Sequence, residues 1–347
     1  MTIPSNEQTA LSPAVSAGDE GWSRRGPWRR VLEGLLASPT AVISASLLLL
    51  IVIATLMAPV YAKYVSKADP FRSGLSAKIE LDGKRVPVMQ QSTEGLGLGV
   101  TPIGPTWGGQ YFLGADAQGR DVAARLFYGG RNSLLIAGAS TVLCLLVAAV
   151  VGIAAGYLGG LVDGVLSNVI DIIWAFPVYL LAISLSIVMI GRSLAIGPFE
   201  ISSSSLIVPI LIIGLVYVPY VARPIRGRVL ALNQSEFILA ARGLGIRPSR
   251  ILWKHILPNV STTLIVFAPM LMALNIVTES SLSFLSVGVQ PPNASWGTIL
   301  QDGQSLLYSR PVVSMAPGIA IMATVLLLNL LGDVLRDVLD PKSARGR

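Results

Sequence analysis

The chain has 347 residues, of which 52% are hydrophobic and only 13% charged, with a formal net charge of +7 and a mean hydropathy of +0.66. A soluble domain carries about 25% charged residues, so this composition excludes an ordinary soluble enzyme and points to a chain that lives in lipid. The basic residues lie beside apolar runs, where they orient membrane helices, so they do not argue for nucleic acid. The lone cysteine, Cys144, lies in an apolar run and excludes an internal disulfide.

The first 23 residues are polar and rich in Ser, Thr and Pro, which predicts a disordered tail. Arg24, Arg25, Arg29 and Arg30 then precede an apolar run over 40–61. That run is about twice a signal-peptide core and follows a long tail, so it reads as a retained first helix. Apolar stretches near 20 residues span about 30 Å of hydrocarbon. Six occur, at roughly 40–61, 133–158, 165–190, 205–222, 262–287 and 312–333. Six crossings from a cytoplasmic N-terminus return the C-terminus to the cytoplasm. They also place the connection after Val221 inside, where Arg223, Arg226, Arg228, Arg242, Arg247, Arg250 and Lys254 face one acid, Glu236, as the positive-inside rule requires.

The predicted fold class is therefore an all-α polytopic membrane protein with about six transmembrane helices and a small extracytoplasmic insert. Its expected divisions are a cytoplasmic tail 1–36, a first transmembrane helix 37–62, an insert 63–130, a core 131–337 and a cytoplasmic tail 338–347. Within the insert, Ile79–Val86 places Asp82-Gly83 between two alternating runs, a β-hairpin signal. Residues 95–109 are rich in Gly and Pro and read as loop.

The segment 235–259, within a cytoplasmic loop expected over 223–260, reads as helix, turn, helix. Ser235 can cap the first helix, with Glu236 in its first turn. Gly243 or Gly245 can end it in a left-handed conformation. Pro248 fits the first turn of the second helix, whose face carries Ile251, Leu252, His255 and Ile256 and which Pro258 should stop. Ala240 and Ala241 leave a small, flat surface beside Arg242 for a partner's groove. On the bare residues, a basic loop lying against lipid head groups explains the segment equally well.

Six motifs in order resemble one family. They are Leu113-Gly-Ala-Asp-Ala-Gln-Gly-Arg-Asp121, Arg125-Leu-Phe-Tyr-Gly-Gly-Arg-Asn-Ser-Leu134, Gly156-Tyr-Leu-Gly-Gly-Leu-Val-Asp163, Asp171 with Ala175-Phe-Pro177, the Ala240-Ala241-Arg242 loop ending His255-Ile256-Leu257-Pro258-Asn259, and Glu279 followed by Leu282-Ser-Phe-Leu285 and Ser295-Trp-Gly297. The chain resembles the ABC-importer permeases of the binding-protein-dependent transport inner-membrane family, above all the C-type subunit of dipeptide and oligopeptide importers. It departs from the pattern at Leu239, where the loop's first acid stands, and at Ala115, where threonine is usual.

The resemblance implies a bacterial inner-membrane subunit that pairs with a paralogous permease, two cytoplasmic ATPase subunits and an extracytoplasmic solute-binding protein. It implies no cofactor on this chain, since ATP and Mg would sit on the ATPase. Coupling to that ATPase would fall to Glu236, Ala240, Ala241, Arg242, Gly243, Gly245, His255 and Pro258. The branch carries dipeptides, oligopeptides, glutathione and nickel complexes.

An ionisable group inside a span is costly unless paired or facing water. Glu279, with Ser280 and Ser283, is therefore a candidate for the translocation path, or else for a satisfied hydrogen-bond cluster. Asp163 and Asp171 are expected to pair with loop arginines, Pro177 and Pro209 to kink helices, and Trp174, Trp253 and Trp296 to anchor span ends at the interface. Met270 and Met272 read as packing. The sequence lacks a G-x-x-x-x-G-K-[ST] loop, an H-E-x-x-H pair and a G-x-S-x-G elbow, which leaves transport or interaction rather than catalysis. Two rival readings are a stand-alone secondary transporter, which should show two related halves, and a membrane-anchored protein acting through 63–132.

Overall fold

The computed structural model describes residues 27–81, 83–92, 99–196 and 199–339. The expected tails therefore lie outside it as far as residue 26 and from residue 340, as do Arg24, Arg25 and the turn residue Asp82. Two helices open the described chain: α1, Pro27–Ala37, and α2, Pro39–Leu56. Ser38 separates them and caps α2 through a hydroxyl that accepts the Ala41 N–H at 3.4 Å. A short helix α3, Ala58–Tyr61, and a π turn, Ala62–Ser66, follow before Lys67 ends the run in a left-handed conformation.

The insert holds two antiparallel hairpins, β1 (Lys78–Leu81) with β2 (Lys84–Pro87), and β3 (Met89–Gln91) with β4 (Val100–Pro102). Ile79 pairs with Val86 and Leu81 with Lys84, the register expected from the alternation on either side of Asp82-Gly83. The hairpins close over a small core of Ile79, Val88, Ile103, Tyr111 and Ala115.

Helix α4, Val122–Leu158, begins about three turns before its apolar run. Asp121 explains the early start: its carboxylate accepts the Ala123 and Ala124 N–H groups at 2.9 and 3.1 Å, so the helix nucleates ahead of Arg125 and Arg131. Then come α5, Gly160–Ala175, and α6, Val178–Met189, bent by 88° at Phe176-Pro177. Pro177 does more than kink a helix: it drives Phe176 into an extended conformation and breaks the span. A hairpin that the sequence pattern did not predict, β5 (Leu194–Ile196) with β6 (Phe199–Ile201), leads into the next pair.

That pair is α7, Ile207–Val216, and α8, Val218–Asn233, bent by 43°. The expected kink at Pro209 does not occur, because Pro209 sits in the first turn of α7, where no helical N–H is lost. The bend falls instead at Tyr217, two residues before Pro219. After α9 (Glu236–Gly243) and α10 (Pro248–Ile251) the chain passes through a π turn, Leu252–Ile256, into α11, Leu257–Phe284, which makes Pro248–Phe284 a single rod. Helices α12, Trp296–Gly303, and α13, Val312–Leu339, complete the order. Among the described residues four helices are long and apolar enough to cross a membrane, or six if each bent pair is one span.

The core lies where α4 meets α7, α8 and α11. Helices α4 and α8 approach closely. A Cβ on Gly152 would come within 2.8 Å of the Ala222 carbonyl oxygen, and one on Gly156 within 2.9 Å of the Arg226 carbonyl oxygen. Small residues four apart let helix backbones come together, and the van der Waals packing this allows is one driver of helix association in lipid. Gly152→Leu and Gly156→Leu should each destabilise the purified chain by about 1–3 kcal/mol, as overpacking does. Gly227→Ala, with nothing near its added methyl group, should not; thermal unfolding in detergent measures both.

Candidate functional site

The helix-turn-helix 235–256 stands at the end of α8 as a small knob. Glu236 enters the first turn of α9, and Ser235 occupies the capping position. Its hydroxyl does not cap, however: it donates to the Leu232 carbonyl at 2.5 Å, closing the turn out of α8 instead. At the other end the Gly245 N–H reaches the Arg242 carbonyl at 2.9 Å and the Ile246 N–H reaches the Ala241 carbonyl at 3.1 Å. This pair of bonds is a Schellman motif, and it requires Gly245 in the left-handed region, at φ 73°. Gly243 stays helical.

The knob has two unlike faces. Ile238 and Ala241 are buried and join Ile251 and Ile256 in the main core. Ala240, Arg242 and Gly243 are exposed, and so are Phe237, Leu239, Trp253 and Leu244, the last 81% exposed. The flat surface expected from Ala240 and Ala241 is thus half right, since the 100° turn per residue sends Ala241 inward. His255 packs beside the Phe237 ring, with centroids 6.2 Å apart. Pro258 does not stop the second helix. The π turn shifts the Leu257 N–H onto the Leu252 carbonyl, and the Asn259 side chain donates to the His255 carbonyl at 2.7 Å. The widened turn makes room for a ring that would clash in a regular helix.

Side chains fasten this knob to the core. Arg242 donates to Asn233 Oδ1 at 3.1 Å, and Asn233 donates in turn to the Gly156 carbonyl at 2.9 Å. Tyr157 Oη donates to the Pro248 carbonyl at 2.8 Å. The two membrane acids pair as expected with Arg223 and Arg226 of the basic connection, which the structure places in α8. Arg226 grips Asp163 with two bonds of 2.5 and 2.7 Å. Arg223 meets Asp171 at 2.6 Å and lies over the Trp174 ring.

Glu279 is 1% exposed and enclosed by protein. Ser133 Oγ donates to one carboxylate oxygen at 2.8 Å and accepts the Trp296 N–H at 3.1 Å. Ser283 Oγ donates to the other oxygen at 2.8 Å and accepts the Val289 N–H at 3.0 Å. The cluster joins α4, the end of α11 and the start of α12. Ser280 is buried beside it, packed under Gly297. In this conformation Glu279, Ser280 and Ser283 therefore line no open surface. Trp296 is buried too, its indole donating to the Leu126 carbonyl at 3.0 Å, so it anchors helices rather than the membrane interface.

A second polar cluster ties the insert to the helices. The Asp116 carboxylate accepts the Gln118 and Arg120 N–H groups and Arg120 Nε at 2.7 Å. Arg120 and Arg125 both reach Asp302 Oδ2 at 2.7 Å. Burial holds the Asp302 carboxyl above the ordinary carboxylate value against the opposing pull of Arg125 and Arg120. Asp302 carried no sequence signal, because its partners stand about 180 positions upstream.

Two substitutions test these clusters. Glu279→Ala should leave the Ser133 and Ser283 hydroxyls without their acceptor and lower stability by about 1–3 kcal/mol. Asp302→Ala should cost on the order of 2–3 kcal/mol, somewhat less than breaking a fully buried pair, because Asp302 is a quarter exposed. Thermal unfolding of purified protein measures each.

The family model described as "Binding-protein-dependent transport system inner membrane component" matches residues 148–345. The glutathione transport system permease protein GsiD of Pectobacterium atrosepticum is 38% identical over 232 residues, 67% of this chain and 73% of that protein. The dipeptide transport system permease protein DppC of Alkalihalophilus pseudofirmus is 36% identical over 233 residues, 67% of this chain and 72% of that protein. The oligopeptide transport system permease protein OppC of Bacillus subtilis is 38% identical over 232 residues, with the same two shares. Coverage of more than half the chain by the family model, together with relatives above 30% identity over two thirds of it, leads to one conclusion: this chain belongs to the family of binding-protein-dependent transport system inner membrane components.

Proposed function

We propose that the chain forms half of a translocation path for peptides or similar small solutes, the other half being a paralogous permease. Two cytoplasmic ATPase subunits would grip the knob built on α9, and an extracytoplasmic binding protein would deliver the solute. The observation that carries the coupling role is a short helix whose inner face belongs to the main core and whose outer face is apolar and open to solvent. A protruding apolar helix face is what a partner's hydrophobic groove takes up. The glutathione, dipeptide and oligopeptide relatives support the solute class.

In this reading Phe237, Leu239, Ala240, Arg242 and Leu244 meet the ATPase. Glu236, Ala241, Gly243, Gly245, His255 and Pro258 shape and seat the knob. Both termini and residues 223–260 lie inside, the insert 63–130 lies outside, and 131–337 form the transport core. The arginine-rich content of 223–254 supports that orientation. Glu279, Ser280 and Ser283 act on the path through helix placement rather than by touching solute.

Leu239→Asp with Leu244→Asp should abolish co-purification of the ATPase and uptake of labelled dipeptide while leaving membrane insertion intact. Gly245→Pro should do the same, since proline cannot adopt φ 73°. Retention of both ATPase and uptake by either inserted variant would remove the coupling role. Competition by excess oligopeptide, glutathione or a nickel chelate then sorts the solute.

A further inference from the structure

Helix α1 lies outside the spans and takes no part in the knob or the polar clusters, yet it is built into the fold. Its eleven residues read PWRRVLEGLLA. The Ser38 N–H bonds to the Leu35 carbonyl at 3.2 Å and the Val42 N–H to the Ser38 carbonyl at 3.1 Å, so α1 joins the first span through one residue. Gly34 lies against Val338 near the end of α13; a Cβ there would fall 2.6 Å from a Val338 methyl carbon. Helix α1 is thereby held at one level of the molecule, where the first span begins and the last one ends.

One side of α1 is left uncovered. Leu32 and Leu36, one turn apart and so on the same stripe, are 58% and 66% exposed. Exposed apolar side chains resume on α2 at Val42, Ile43 and Leu47, in a helix long and apolar enough to cross a membrane. Arg24, Arg25, Arg29 and Arg30 stand in or directly before α1, with Glu33 as its one acid. An amphipathic helix joined to the mouth of a span, with leucines on one side and a run of arginines, matches the boundary between acyl chains and anionic head groups.

We propose that α1 is an interfacial anchor that lies among anionic phospholipid head groups, its Leu32 and Leu36 buried at the acyl boundary, and that it holds the last turns of α13 to the lipid surface through Gly34. Continuity with the exposed apolar residues of α2, a helix long and apolar enough to span, and the charge of the arginine run select lipid as the occupant. The proposal is independent of which solute is carried and of the knob's role.

Site-directed labelling of the complete transport complex tests it. Cys144→Ser removes the single native thiol. Nitroxides at Leu32→Cys, Leu36→Cys and Ala37→Cys are then compared in vesicles of phosphatidylcholine with one quarter phosphatidylglycerol. The labels at 32 and 36 should collide severalfold more with oxygen, relative to a water-soluble nickel chelate, than the label at 37. A variant with the four arginines changed to glutamine should retain severalfold less phosphatidylglycerol after purification. Water-accessible labels at 32 and 36, or protection that appears only when the ATPase subunits are bound, would overturn the proposal. So would unchanged phosphatidylglycerol retention by the glutamine variant.

Discussion

Inside hydrocarbon every backbone polar group has to be satisfied within the protein and an unpaired ionisable side chain is costly, and this constraint organises the helices. Glu279 is tolerated because two serine hydroxyls meet its two oxygens, and both serines are themselves held by backbone N–H groups. Asn275 donates to Thr141, and the Tyr217 hydroxyl meets Thr278, each bond joining α11 to another helix. Polar side chains in the spans therefore act as cross-links. The interhelical bonds specify which helix lies against which, at depths where apolar packing alone tolerates sliding.

The chain is a transport subunit rather than an enzyme, and as a member of its family it works with ATPase and solute-binding partners. Its architecture suits that division of labour. The two bent spans, α5 with α6 and α7 with α8, sit on either side of the arginine–aspartate pairs. The contact at Gly152 and Gly156 binds α8 to α4, and the Asn233 and Tyr157 bonds bind the knob to the same helix. The anchored insert is tied by Asp302 to the opposite end of the same helix. Helix α4 thus connects both ends of the molecule.

Much of this was legible in the residues. Apolar run length placed the spans, period-two alternation around Asp82-Gly83 placed a hairpin, and the glycine pair at 243 and 245 placed the end of the knob helix. What was hidden depends on three-dimensional neighbours. Whether Ser235 caps or Pro258 terminates is decided by a turn's hydrogen-bond register rather than by the residue type. Hydropathy discounted the start of α4, because Arg125 and Arg131 mask a helix that Asp121 nucleates. The role of Glu279 turned on Ser133, far away in sequence, and Trp296 looked like an interface residue until its indole was seen donating to Leu126.

The rod Pro248–Phe284 carries one further implication. Its 37 residues extend about 55 Å at 1.5 Å per residue, against a hydrocarbon layer of about 30 Å. One end is the second helix of the knob, and the other holds Glu279. Under the proposed coupling such a rod would work as a lever: a tilt of about 5° at one end moves the other by about 5 Å at that length. The extra residue of the π turn sits where the rod leaves the knob, so under the proposed coupling an irregular stretch of hydrogen bonding would lie beside the point where force enters. Bending there would absorb part of the stroke, and stiffening that turn would lengthen it.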